Sequence, residues 1–242
     1  MSVVVPDQTN TESKKVQVED MFNQIAPKYD LLNHALSLNI DKLWRRKVVK
    51  LLSKEKASTV LDVATGTCDL AIAIARKANP SAIIGVDLSE EMLNVGKQKV
   101  KKLGFANQIK LQKADAENLP FADNSFDAIT VAFGVRNFEN LEAGLKEMYR
   151  VMKPNGTCII LEFTMPIRFP IKQLYNFYFR YILPLIGRMV SNHKSAYTYL
   201  PESVKAFPQR QKFTQIMEQC GYNNTEFKIL SFGIAAIYIG KK

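Results

Sequence analysis

Two acidic residues and one glycine stand at the spacing a nucleoside site requires. The stretch LDVATGTCDLA (61–71) joins an apolar β-type run to a helical one, and Gly66 within it lets the chain turn tightly and a ligand approach the backbone. Asp87 follows 21 residues later, at the end of the apolar run GVDL. A carboxylate at that distance, on the tip of a second strand, can accept both hydroxyls of a ribose, with Leu88 beside it. Asp115, in KADAENLPF, ends a third run, where its carboxylate or the Asp115–Ala116 backbone can bind an adenine amino group. An ordinary βα turn also uses a glycine. One acid at a strand tip is common, but tips in register with a single nucleoside are not.

The charges around the turn bear on which nucleoside. A pyrophosphate needs a glycine-richer loop with helix N–H groups turned to the anion. Here Thr65 and Cys68 stand where such a loop carries glycines, and Asp69 near the helix start would repel phosphate. A cationic sulfonium has no such conflict and would be favoured by Asp62 and Asp69, so S-adenosylmethionine is expected rather than a dinucleotide.

Alternating elements must carry these tips. Residues 16–27 read as an amphipathic helix ending at Pro27, and 40–56 as a second with Leu43, Trp44, Val48 and Leu52 at helical spacing. Strands are expected at 58–64, 82–88, 108–116, 126–133 and 157–163, and helices at 69–78, 89–104 and 140–153. Ser89 would cap the second of these helices and Gly104 would end it; Pro154-Asn155-Gly156 would stop the last. Residues 225–242 read as two strands broken near Ser231-Phe232-Gly233. The expectation is an α/β fold with a Rossmann-like, seven-stranded, mostly parallel sheet and a C-terminal hairpin that supplies one antiparallel edge strand. The chain divides into a loose polar tail (1–15), a helical cover (16–56), a cofactor core (57–163), a substrate-side helical region (164–224) and the last strands (225–242).

Composition narrows the class. With 242 residues, 47% hydrophobic and 23% charged, the chain can bury one sizeable core. No apolar run reaches the ~20 residues that span a bilayer, and the N-terminus lacks a signal-peptide pattern. Cys68, Cys158 and Cys220 make no disulfide framework, and neither His34 nor His193 has metal-site spacing, so no metal is expected. A reduced cytoplasm is the simplest compartment. The net charge of +10 fits solvated lysines, nucleic acid, an anionic membrane or an acidic substrate. Residues 165–190 mix aromatics and aliphatics with Arg168, Lys172, Arg180 and Arg188, and Pro170 and Pro184 would break a long helix. They read either as core or as a cationic, greasy lid resting on anionic lipid at the inner face of the membrane.

Several longer stretches resemble the ubiquinone/menaquinone biosynthesis C-methyltransferase family. FNQIAPKYDLLNHALSLNIDKLWRRK (22–47) and RVMKPNGTCIILEFTMP (150–166) are similar to its two signatures, FGVRN (133–137) to its motif after strand four, and AYTYLPESVKAFP (196–208) to its substrate-side segment. The resemblance spans about residues 16 to 242. It departs in the loop ATGTCD, at Ala132 where a Ser often stands, and at Thr164 for a Ser. It implies a class I, S-adenosylmethionine-dependent fold and a polyprenylated quinol substrate, most simply demethylmenaquinol, with a ubiquinone-type benzoquinol or another lipid as alternatives. Carried over, cofactor contacts fall on Thr67, Asp87, Asp115 and Ala116, and substrate contacts on Tyr197, Tyr199 and Phe133.

C-methylation then needs a reduced ring held near-attack with its phenolate stabilised. Arg136, after strand four, would bind that oxygen or polarise a water that takes the proton; a guanidinium holds its own proton too firmly to be an ordinary base, so electrostatic stabilisation is the simpler role. Asn137 would bind the second oxygen, and Tyr29 would orient the ring or relay a proton. The plain alternatives are a surface ion pair for Arg136 and packing for Tyr29. A nucleic-acid methyltransferase would show a D/N-P-P-Y/F or Pro-Cys loop where AFGVRN stands, so no nucleic-acid partner is expected. A non-enzymatic assembly protein and a homodimer are left open.

Overall fold

The computed structural model describes residues 4–182 and 194–242, apart from the side chains of Leu36 and residues 194–197. Its strands are β1 (Thr59–Val63), β2 (Ala82–Asp87), β3 (Ile109–Lys113), β4 (Phe126–Ala132), β5 (Met152–Phe163), β6 (Asn223–Leu230) and β7 (Ala235–Lys241). They form one sheet in the order β3-β2-β1-β4-β5-β7-β6. The described helices are α1 (Lys14–Ile25), α2 (Tyr29–Leu36), α3 (Ile40–Glu55), α4 (Asp69–Lys77), α5 (Glu90–Lys102), α6 (Leu141–Val151), α7 (Ile171–Phe177), α8 (Lys194–Ala206) and α9 (Gln211–Gln219). None of them is long and apolar enough to cross a membrane.

The alternation of each strand sends neighbours to opposite faces. Val60 packs with Trp44 and Val48 of α3 and Ile74 of α4, whereas Leu61 and Val63 pack with Leu145 and Met148 of α6 and Phe213 of α9. Each such side chain, fully buried, contributes ~1.5–3 kcal/mol, so a one-residue slip of β1 would undo both layers. The parallel register sets Val63 between Val86 and Val131. The loops after β1, β2 and β4 therefore leave the sheet side by side, at the end where open α/β sheets bind ligands.

The caps follow the sequence. Ser89 accepts from Met92 N at the start of α5, Glu90 and Glu91 occupy its first turn, and Lys99, Lys101 and Lys102 its last, each sign matching the helix dipole. Gly104 follows with φ 77°. Asn140 caps α6 in the same way.

Four expectations are corrected. The reversed strand is β7, which lies inside the sheet, antiparallel to β5 and to β6. The edge strand β6 therefore runs in the same sense as the parallel five, because a tight hairpin must reverse only the strand it returns on. Helix α6 ends at Val151 instead of running to Pro154, since the residue before a proline is pushed to extended backbone and Met152 is already extended. The extra residues loop out of β5 opposite a bulge, with Asn155 at φ 64°. The first helix stops at Ile25, and Pro27 sits in a short 3₁₀ turn that leads into α2. The N-terminal stretch expected to be loose is tied down: Asp7 N donates to Gln17 Oε1 at 3.0 Å, Ser13 caps α1, and Lys14 and Lys15 belong to that helix.

Candidate active site

The turn after β1 is built from left-handed backbone at Ala64 (φ 51°), Gly66 (φ 55°) and Cys68 (φ 69°). Gly96 of α5 makes room for it, since a Cβ there would lie 2.5 Å from Cys68 Sγ. Gly66 N donates to Asp87 Oδ2 at 2.8 Å, and Ser89 N donates to Asp87 Oδ1 at 2.9 Å. Each carboxylate oxygen keeps a lone pair for a further donor. Burial pushes Asp87 up to about 6. Together with Leu88, Asp115, Ala116, Ala132 and Asn137, these residues line a chamber of about 740 Å³, its open mouth included.

Helix α1 roofs this chamber with Lys15, Val18, Glu19 and Phe22. The roof is latched to the strand tips. Lys15 Nζ reaches Asp115 Oδ2 at 2.6 Å and Glu117 at 3.3 Å, and Lys113 Nζ reaches Glu19 at 2.6 Å. Ser89 Oγ donates to Asn23 Oδ1 at 2.7 Å. Lys14 Nζ donates to the Arg136 carbonyl at 3.0 Å and the Phe138 carbonyl at 2.7 Å, and burial, with Arg136 nearby, brings it down to about 8.

A second chamber adjoins the first and shares Phe22, Tyr29 and Phe133 with it. Its other walls include Leu32, Asn33, Arg136, Phe163 and Tyr199. Phe133 takes φ 62°, a strained conformation for a bulky residue, and stacks on Phe163 with centroids 4.3 Å apart. Arg136 Nη1 donates to the Phe133 carbonyl at 2.5 Å and to Glu162 Oε1 at 2.9 Å. Among the described residues, Arg136 Nε and Tyr199 Oη are buried without a partner. Burial raises Tyr29 and brings Tyr199 up to about 12, so both phenols hold their protons at neutral pH.

The expected site residues thus sort into three groups. Gly66, Asp87, Leu88, Asp115, Ala116 and Asn137 wall the first chamber, Arg136 and Tyr199 the second, and Tyr29 and Phe133 their junction. Asn137 is thereby placed beside the first chamber, not with Arg136. Asp62 and Thr67 are on neither wall. Asp62 lies buried below the turn, where Thr65 Oγ1 and Thr130 Oγ1 both donate to it at 2.6 Å and burial pushes it up to about 6. Thr67 Oγ1 donates to Asp30 Oδ1 at 2.5 Å, and both Thr67 and Asp62 line a smaller cleft that shares Tyr29, Ala64, Gly66 and Ala132 with the first chamber. The side chain of Tyr197 lies outside the described residues.

Asp69 is not the uncompensated charge expected at the helix start. Lys99 Nζ sits 2.5 Å from Asp69 Oδ1, with His34 at 3.5 Å and Arg45 at 3.9 Å from Oδ2, so its charge is compensated away from the chamber. The same fold gathers ligand atoms of His34, Asp41 and Asp69 within 4.8 Å of one another, though Arg45 and Lys99 bring two cations among them. Sequence reasoning also missed Glu162. The signal was there: a lone acid inside the apolar run CIILEF, and it pairs with Arg136 in the sheet interior, not at the surface.

Comparison with known proteins now separates this fold's many uses. The family described as ubiE/COQ5 methyltransferase matches residues 9–242. The chain belongs to that family. It is 48% identical to the demethylmenaquinone methyltransferase of Bacteroides fragilis, over 97% of this chain and 96% of the relative. It is also 48% identical to the ubiquinone/menaquinone biosynthesis C-methyltransferase UbiE of Geotalea daltonii, over 95% and 97%. A solved S-adenosylmethionine-dependent methyltransferase from Aquifex aeolicus has the same fold, with a TM-score of 0.59 at 22% identity, over 81% of this chain and 88% of that one. The protein is thus a methyltransferase of quinone biosynthesis, and S-adenosylmethionine is its cofactor.

Proposed function

We propose that the protein methylates a ring carbon of a polyprenylated quinol, with demethylmenaquinol as substrate and menaquinol as product. The observation that carries this is the pair of adjoining chambers, one with nucleoside-binding acids and one mostly apolar with a buried, half-free guanidinium. The first chamber fits the cofactor: Asp87 has lone pairs to spare for ribose hydroxyls, Asn137 Oδ1 is buried with no partner among the described residues, and Gly66 keeps its surface bare. We assign the adenosyl end to Asp87, Leu88, Asp115 and Ala116, and reassign Asn137 from the ring to the cofactor side. Asp62 and Thr67, in the cleft that shares Gly66 and Ala132 with this chamber, stay on the cofactor side. Bound there, S-adenosylmethionine supplies an electrophilic methyl group on a sulfonium.

The chain's own residues do the rest. Phe133, Phe163 and Tyr29 hold the flat ring at the junction, where its carbon faces the first chamber. Arg136, through its unpartnered Nε edge, stabilises negative charge on the ring oxygen, and Tyr199 Oη donates a second hydrogen bond. The ring carbon gains a bond to the methyl carbon as that carbon's bond to sulfur breaks, the sulfur keeping the electron pair as a neutral thioether; the ring hydrogen is then lost as a proton to solvent, and the oxygen keeps or regains its own. Phe22 and the rest of α1 exclude water.

We place the substrate's entry at the stretch beyond β5. Over its described part it is not core: Tyr175 is buried, while Phe169 is 80% exposed, Leu174 61% and Phe177 55%, and Arg168, Lys172 and Arg180 are exposed along the same stretch. An apolar face edged with cations suits an anionic bilayer surface. Co-sedimentation with vesicles should depend on anionic lipid and weaken with salt; equal recovery on neutral and anionic vesicles contradicts this placement.

The test of the reaction uses labelled S-adenosylmethionine and chemically reduced short-chain demethylmenaquinol. Label on a ring carbon supports the reading. Label on oxygen, or transfer only to a methoxybenzoquinol, refutes the substrate.

A further inference from the structure

Glu162 has no part in the reaction as set out above, yet it is the group most tightly joined to Arg136. It lies one residue before the end of β5, in register with Ala236 of β7, and is 0% exposed. Its Oε1 accepts from Arg136 Nη1 at 2.9 Å and from Phe163 N at 2.8 Å, and its Oε2 accepts from Arg136 N at 3.3 Å. One carboxylate therefore holds both the guanidinium and the backbone of the 3₁₀ turn Val135–Asn137 that carries it. The Phe163 ring lies under the guanidinium, 5.5 Å from its carbon. With Nη1 divided between Glu162 and the Phe133 carbonyl, that edge is fixed, while Nε is buried with no partner among the described residues.

We propose that Glu162 is a positioning residue that acts through Arg136, holding the guanidinium so that its free edge meets the ring oxygen. The proposal rests on Arg136 having that role. A turn that only had to be tied to β5 would be held as well by apolar side chains, because removing an ion pair from water costs about what the pair returns. A long, flexible side chain meant to meet developing charge has a different need. A displacement of about 1 Å in such a group can slow a reaction about 100-fold. Glu162 supplies the fixed counter-charge, and the stacked pair Phe133–Phe163 supplies the flat support.

A double-mutant cycle tests this with reduced short-chain demethylmenaquinol and S-adenosylmethionine. Glu162→Gln keeps the shape but turns an amide NH₂ toward the donors it now faces. Glu162→Asp keeps the charge but falls short by one methylene. Both should lower kcat by about 30- to 100-fold and leave cofactor Kd, measured by calorimetry, within about threefold. In an Arg136→Ala background neither should lower kcat further. Losses that multiply in the double variant, or wild-type kcat in a folded Glu162→Gln, overturn the proposal while the role of Arg136 stands. Wild-type kcat in Arg136→Ala alone sinks both. Should Glu162→Gln fail to fold, Glu162→Asp carries the same cycle.

Discussion

Lowering the pH should loosen the cofactor while tightening the empty protein. Asp87 is held up to about 6 by burial, against an ordinary value of 3.8. If its ionised form accepts the ribose hydroxyls, then at pH 5 about one molecule in eleven is competent, and affinity falls ~10-fold from pH 7. The effect on stability has the opposite sign. The folded carboxyl takes up its proton near pH 6, but the unfolded one does so only near 3.8. Burying the ionised form therefore costs stability at pH 7, and the cost is relieved as pH falls through 6. Asp62, also held up to about 6 by burial, behaves alike. The relief by pH 5 is ~1.4 kcal/mol for each, worth several degrees in Tm for a chain of this size. Asp127, held down at about 2 mainly by Lys153 and Thr59 against its burial, contributes the same at pH 5 and pH 7. Calorimetry of S-adenosylmethionine binding between pH 5 and 7, beside thermal melts of the cofactor-free protein, measures both. Asp87→Asn should bind weakly at every pH and lose the slope, which separates Asp87 from Asp62. Affinity that stays flat to pH 5 in the wild type would refute the reasoning.

Three further outcomes follow from particular contacts. Gly96→Ala puts a methyl 2.5 Å from Cys68 Sγ, so it should destabilise by ~1–3 kcal/mol, seen in urea melts, and weaken cofactor binding as the turn shifts. Lys15→Ala cuts the roof from Asp115 and Glu117. Both partners are partly exposed, so stability should change by ~1 kcal/mol or less while cofactor dissociation in stopped flow quickens by about fivefold. Tyr29→Phe should leave cofactor Kd unchanged if Tyr29 serves the ring; a fall in cofactor affinity alone would place it on the other side of the junction.

Periodicity made the sheet legible. Runs such as TVLDV and FDAITVA alternate because each strand buries one side chain on the α3–α4 layer and the next on the α6–α9 layer. The spacing of Gly66 and Asp87 was legible for the same reason, since one strand, one helix and one more strand set the distance between two tips. What pairing decides was not legible. Nothing local to Asp69 shows that Lys99, 30 residues away, compensates it. Nothing in the tail shows that Lys14 and Lys15 reach the carbonyls after β4 and the acid after β3. The hairpin was visible in SFG, but which of its strands meets β5 depends on the sheet edge it finds. Glu162 was readable as an oddity, a charge in an apolar run; its partner was not.

The central claim is that Arg136 acts on the quinol ring and not on the cofactor. The direct measurement is a paired one on purified Arg136→Ala: single-turnover rate with reduced short-chain demethylmenaquinol, and S-adenosylmethionine Kd by calorimetry on the same sample. The geometry predicts a rate lower by about 100-fold or more with Kd unchanged, because Arg136 walls only the second chamber. Equal losses in rate and affinity would contradict it.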